Sequence, residues 1–265
     1  MSKNILEKIA ATKRREVAAM KRLIAFEQLR EQVSDVSREV ISMRGSILNH
    51  DVGIIAEHKR RSPSRGEIAP MSEVGYIAES YAQNGAAAMS VLTDTPYFGG
   101  SLTDLAVARE AAPSMPLLRK EFIVDGYQLY QARIFGADAI LLIAAMISGE
   151  KVRQLNDMAH ELGMQTLVEI HSLSELKSVP MDADMVGVNN RDLTSFSTDI
   201  SNSALLVDRL PPEIVKIAES GIKTSEDVKR LKTIGFDGFL IGEAFMSTPD
   251  PGETLREFID DNRIG

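Results

Sequence analysis

The chain has 265 residues, 44% of them hydrophobic, enough for one sizeable core. It has no cysteine, which removes disulfides, thiolate metal sites and cysteine nucleophiles. Its formal net charge of −8 argues against a general nucleic-acid binder, so an anionic ligand has to be held by local cations and backbone amides.

The opening MSKNILEKIAATKRREVAAMKRL is charged throughout and has no apolar signal-peptide core. No apolar run approaches the ~18 residues a membrane span needs. A cytoplasmic protein without membrane partners is expected. The first 45 or so residues (about 1–45) read as one or two helices, and their KRR and KR runs as a solvated helix face. Such an extension either caps the bottom or a face of the fold, or forms a lid over a site.

Eight apolar runs follow: Val52–Glu57, Ala87–Leu92, Leu117–Lys120, Ala139–Ile143, Gln165–Glu169, Met185–Asn189, Val215–Glu219 and Gly238–Gly242. They are continuous rather than alternating, as in strands buried on both faces. Helical patterns fill the gaps at Glu73–Asn84, Asp125–Phe135, Glu150–Leu162 and Thr224–Ile234, each followed by glycine. Eight strands alternating with helices predict an α/β fold, a closed (β/α)8 or TIM barrel, forming one domain over residues 1–265 with a helical N-terminal extension. The rival open doubly wound sheet lacks support, because no GxGxxG fingerprint is present.

In such a barrel, functional groups sit at the carboxyl ends of the strands. Here those ends carry charge: Glu57 and Lys59, Lys120, Glu169, Asn189 and Arg191, then Glu219. Glu57 and Lys59 are two apart, as are Asn189 and Arg191, so each pair projects to one side of an extended chain. One charged strand end signifies only nearby solvent. Five ends of mixed sign predict a mouth where amines and carboxylates tune one another for acid–base work.

After the seventh and eighth strands stand Ser220–Gly221 and Gly242–Glu243, where barrels of this type usually grip phosphate. The four histidines (His50, His58, His160, His171) show no metal-ligand spacing, and His160 is expected on a helix surface.

Together these pieces resemble the indole-3-glycerol-phosphate synthase family of tryptophan biosynthesis. The matching stretches are IIAEHKRRSPSRG, AMSVLTDTPYFGGS, LLRKEFIVDGYQLYQARIFGADAILLIAA, LGMQTLVEIH, GVNNRDL, IAESGI and GFLIGEAFM, in order over about residues 44–247. Three departures stand out: His58 between the Glu and the Lys, Glu121 where Asp is frequent, and EIAPMSEVGY in place of a segment containing DFDP.

The resemblance implies a lyase that closes, decarboxylates and dehydrates 1-(2-carboxyphenylamino)-1-deoxyribulose 5-phosphate, with no metal and no cofactor. It implies Lys120 as the acid, with Lys59 as competitor or dehydration partner, and Glu169 as the base. Glu57 would hold hydroxyls and the lysines; Asn189 and Arg191 would orient the substrate, with Glu219 steadying Arg191. Lys59, Ser220, Gly221, Gly242 and the Glu243 amide would hold phosphate. Pro63, Phe98, Phe122, Leu141, Ile143 and Leu193 would form the ring slot. The partner is a phosphorylated small molecule, and the chain a monomer or weak homo-oligomer. The alternatives are a phosphoribosylanthranilate isomerase, which shares the phosphate grip, and an aldolase forming a Schiff base at Lys120.

Overall fold

The computed structural model describes residues 5–191 and 201–263. The strands are β1 (Gly53–His58), β2 (Ala88–Leu92), β3 (Leu117–Lys120), β4 (Ala139–Ile143), β5 (Gln165–Ile170), β6 (Met185–Asn189), β7 (Val215–Glu219) and β8 (Gly238–Ile241). Each pairs in parallel with its sequence neighbours, and β8 closes back onto β1 with Gly53 opposite Gly238. Four of the predicted strands have these same bounds, and the other four differ by one residue at one or both ends. A two-residue ribbon, Arg61–Ser62 with Gly66–Glu67, folds over after β1.

Alternation within each strand explains the continuous apolar runs. Ile55, Leu118, Leu141, Leu167, Met185, Ile217 and Leu240 fill the barrel interior. Ile54, Met89, Ile140, Leu142, Val168, Val186 and Ala218 face the surrounding helices. Among those helices are Val74–Gln83, Leu102–Ala111, Tyr127–Ile134, Gly149–Glu161, Ser225–Thr233 and Pro251–Asn262. Thr224 caps the helix Ser225–Thr233 through a capping box with Asp227.

The N-terminal extension serves both ends of the barrel. Its last helix, α3 (Met43–Asn49), inserts Met43 and Ile47 into the interior cluster and plugs the bottom. Glycine at two strand starts makes room. A Cβ at Gly53 would lie 2.7 Å from Ile47 Cγ2, and one at Gly238 would lie 3.0 Å from the same atom.

The first helix, α1 (Ile5–Leu23), with α2 (Phe26–Ser34), packs Ala10, Val17 and Leu29 against Val124 and Tyr127 beside the barrel. The expected solvated basic face is corrected at one position. Arg14, Arg15, Lys21 and Arg22 are exposed, but Lys13 is 3% exposed. Its Nζ lies 2.5 Å from Asp94 Oδ1, 3.3 Å from Glu121 Oε1 and 2.8 Å from Glu16 Oε2. The rim carboxylates are themselves buried, so a cation is drawn in to neutralise them, and the attraction outweighs the burial that opposes it.

Candidate active site

The strand ends bring their charges to one mouth. At the end of β1, Glu57 turns inward and accepts from Lys59 Nζ at 2.7 Å and from Ser90 Oγ at 3.3 Å. Burial opposes its charge, yet Lys59 and Lys120 hold the carboxyl below its usual range. His58 points the other way, between barrel and helices, with Nε2 2.9 Å from Ser72 Oγ. Burial pushes its imidazole down to about 4, so it is a neutral packing group.

Lys120, from β3, is the hub. Its Nζ donates to Glu219 Oε2 at 2.6 Å and to Glu169 Oε2 at 3.2 Å. Burial alone would favour the neutral amine, but Glu219, Glu169 and Glu57 together raise its pKa above the ordinary lysine value. The ammonium is therefore fixed at physiological pH.

Its two carboxylate partners differ. Glu219 is pushed up to about 7 by burial and by Glu169, against the pull of Lys120. Glu169 is equally buried but stays below its usual range, because Lys120, His171 and Asn189 support its charge. The neighbouring strand makes room for Glu219: a Cβ on Gly187 of β6 would stand 1.9 Å from Glu219 Oε1.

Arg191 does not meet Glu219. It donates to Ser64 Oγ, its Nη2 lies 3.7 Å from Glu243 Oε2, and its amide donates to Asn189 Oδ1 at 3.0 Å. The Glu219 carboxylate is drawn toward Lys120, which leaves Arg191 on the side of the β7 and β8 loops.

An apolar slot adjoins the charges. Pro63, Phe98, Phe122, Leu141 and Ile143 line one cleft with Glu57, Lys59, Lys120, Glu169, Asn189, Arg191 and Glu219. The cleft holds about 950 Å³, part of it open to solvent. Phe98 and Phe122 face each other with centroids 5.9 Å apart. Leu193 lies outside the described residues. The sequence reading missed Ile5, Leu6 and Ile9 of α1, which also line this cleft. The extension is thus a bottom plug at α3 and a wall of the site at α1.

A second cavity opens beside the first, lined by Lys59, Ser220, Gly221, Gly242 and Glu243, as expected, and by Arg65, Arg191 and Lys223, which were not expected there. Ser220 (φ 64°) and Gly221 (φ 79°) both have positive φ, so the chain turns sharply after β7, and the glycine brings its backbone into this cavity without a side chain. Asn190, also missed, braces this turn: its Nδ2 donates to the carbonyls of Glu219 (3.1 Å) and Ser220 (3.2 Å). Gly242 lets the β8 loop approach Glu57, whose Oε1 would sit 2.9 Å from a Cβ there.

Comparison with known proteins points to one family. A family model described as indole-3-glycerol phosphate synthase matches residues 6–258. The indole-3-glycerol phosphate synthase of Bacteroides thetaiotaomicron is 51% identical over 257 residues, covering 97% of this chain and 98% of that one. That of Carboxydothermus hydrogenoformans is 43% identical over 260 residues, covering 94% and 97%. Among solved structures, 3-hexulose-6-phosphate synthase from Salmonella typhimurium superposes with a TM-score of 0.62 at 15% identity, over 79% of this chain and 98% of that one, a likeness of fold alone. With the matching family model spanning nearly the whole barrel and its N-terminal extension, the chain belongs to the indole-3-glycerol phosphate synthase family.

Proposed function

We propose that this chain converts 1-(2-carboxyphenylamino)-1-deoxyribulose 5-phosphate into indole-3-glycerol phosphate, carbon dioxide and water. One observation carries the reading. A charged lysine, Lys120, is fixed between Glu169 and Glu219 in a cleft with an apolar slot, and a cationic pocket adjoins it.

The aryl ring enters the slot of Pro63, Phe98, Phe122, Leu141 and Ile143, walled by Ile5, Leu6 and Ile9. The phosphate lies against Lys59, Arg65, Arg191 and the Ser220–Gly221 turn. Anchoring both ends presses the ring carbon that bears the carboxylate against the ribulose carbonyl. As that bond forms, the carbonyl oxygen gains charge and takes a proton from the Lys120 ammonium. Loss of carbon dioxide restores electrons to the new ring. Glu169 then accepts a proton while the hydroxyl departs as water, protonated from Lys59. Glu57 holds Lys59 in place, and Asn189 orients Glu169. Every step moves protons and carbon bonds only.

The arrangement argues against a Schiff-base aldolase, since that nucleophile is a neutral amine and the carboxylates around Lys120 keep it protonated. We read the chain as a monomer or weak homo-oligomer, and we place it in the cytoplasm. Among the described residues no helix is long and apolar enough to cross a membrane. Ultraviolet detection of the indole product from this substrate tests the reading. Product formation without borohydride-trappable adduct is expected; a trapped adduct, or no indole, contradicts it.

A further inference from the structure

His171 stands two residues after Glu169, just past the end of β5, and its ring lies beside that carboxylate. The imidazole is largely buried, its side chain 14% exposed. Nε2 lies 3.3 Å from Glu169 Oε1, the oxygen that Lys120 does not contact. Nδ1 lies 3.6 Å from Glu175 Oε2. Glu175 belongs to the 3-10 turn Leu173–Ser178 and is itself held firmly. It accepts from the His171 amide at 2.9 Å and from Ser172 Oγ at 2.8 Å. The imidazole therefore bridges a surface-anchored carboxylate and a catalytic one.

Glu169 and Glu219 both stand against Lys120 Nζ, at 3.2 and 2.6 Å, so two buried carboxylates share one ammonium and a proton on either one relieves their repulsion. Both contact Lys120, so the lysine alone does not decide which carboxyl carries that proton. The groups facing the imidazole do. Glu169 on β5 and Glu175 on the 3-10 turn stand at its two nitrogens, and Glu219 on β7 acts from farther off. Lys120 on β3 reaches the far oxygen of Glu169, and Asn189 on β6 also favours the charge of that carboxylate. These carboxylates favour the charged imidazole despite its burial.

We propose that His171, clamped by Glu175, is a positioning residue that keeps Glu169 the anionic member of the Glu169–Glu219 pair and leaves the shared proton on Glu219. This deepens the proposed function, since it rests on Glu169 serving as the base. His171 supplies Glu169 with a second cation on the oxygen opposite Lys120, whereas among the described residues Glu219 pairs with Lys120 alone.

The test is the pH profile of kcat/KM for His171→Gln, with Glu175→Gln as a second variant that leaves the imidazole in place. Removing the cation should move the acidic limb up by about one pH unit in His171→Gln, and by less in Glu175→Gln, with KM at the optimum changed little. A limb superimposable on wild type in both variants overturns the inference, as does a uniform fall in rate at every pH, which is what a packing role alone would give. Glu169→Gln separates the two readings. If it turns over like wild type, the assignment of Glu169 as base is wrong. If it is inactive while the acidic limb stays fixed in the His171 and Glu175 variants, only the inference fails.

Discussion

At the residue scale, chemistry here is set by which charges share a buried space. Lys120→Ala should lower kcat by ~10²–10⁴, the usual loss for a general acid, with a smaller effect on KM. Steady-state kinetics on the folded variant checks this, and near-wild-type turnover would remove Lys120 from the proton transfer. His58 yields a stability prediction instead. The unfolded imidazole takes its proton near 6.5, the folded one only near 4, so between these values the unfolded chain binds more protons. Stability on this account is intact above pH 6.5 and erodes as pH falls, by roughly 3 kcal/mol once below 4. Urea melts at pH 7.5 and 4.5 should show a smaller drop for His58→Gln than for wild type; equal drops would contradict the assignment. The charged strand ends were legible because a (β/α)8 barrel sends them to one mouth. Their pairings were not, and Glu219 binds Lys120 rather than Arg191 because Gly187, on the adjacent strand, opens the space for it. His171 stands to Glu169 as Lys59 does to Glu57, but the spacing of the histidines carries no metal signal and so gives no sign of it.

At the scale of elements, the strands and their glycine-stopped helices were readable because each must bury two apolar faces or one. The docking of α1 was not. Lys13 is indistinguishable in sequence from Arg14 and Arg15, and only the fold brings Asp94 and Glu121 from two other strand ends to meet it. Lys13→Met leaves those carboxylates buried without their cation, a loss of about 3–5 kcal/mol for a broken buried pair. Because α1 also carries Ile5, Leu6 and Ile9 into the cleft, KM should rise more than kcat falls, and proteolysis within α1 should quicken. Unchanged KM and proteolysis would mean that α1 is held by its apolar contacts alone.

At the scale of the whole molecule, Asp138 ties the extension to the barrel. Its carboxylate accepts from Arg38 at 2.7 Å, from Arg109, and from the amides of Ile41 (2.9 Å) and Leu117 (2.8 Å). Asp138→Ala strands two arginines and two amides, and calorimetry should show Tm lowered on the order of 10 °C. Activity well below that transition should persist, since Asp138 lies at the start of β4, away from the mouth; loss of turnover in folded protein would show coupling that this account lacks. The central claim is that residues from separate strands act on one substrate as a single unit. It is tested most directly by kcat/KM for Lys120→Ala, Glu169→Gln and the double variant. Groups that work as a unit lose their effect together, so the double variant should be scarcely worse than the poorer single one. Losses that multiply would mean that Lys120 and Glu169 act independently, and would contradict it.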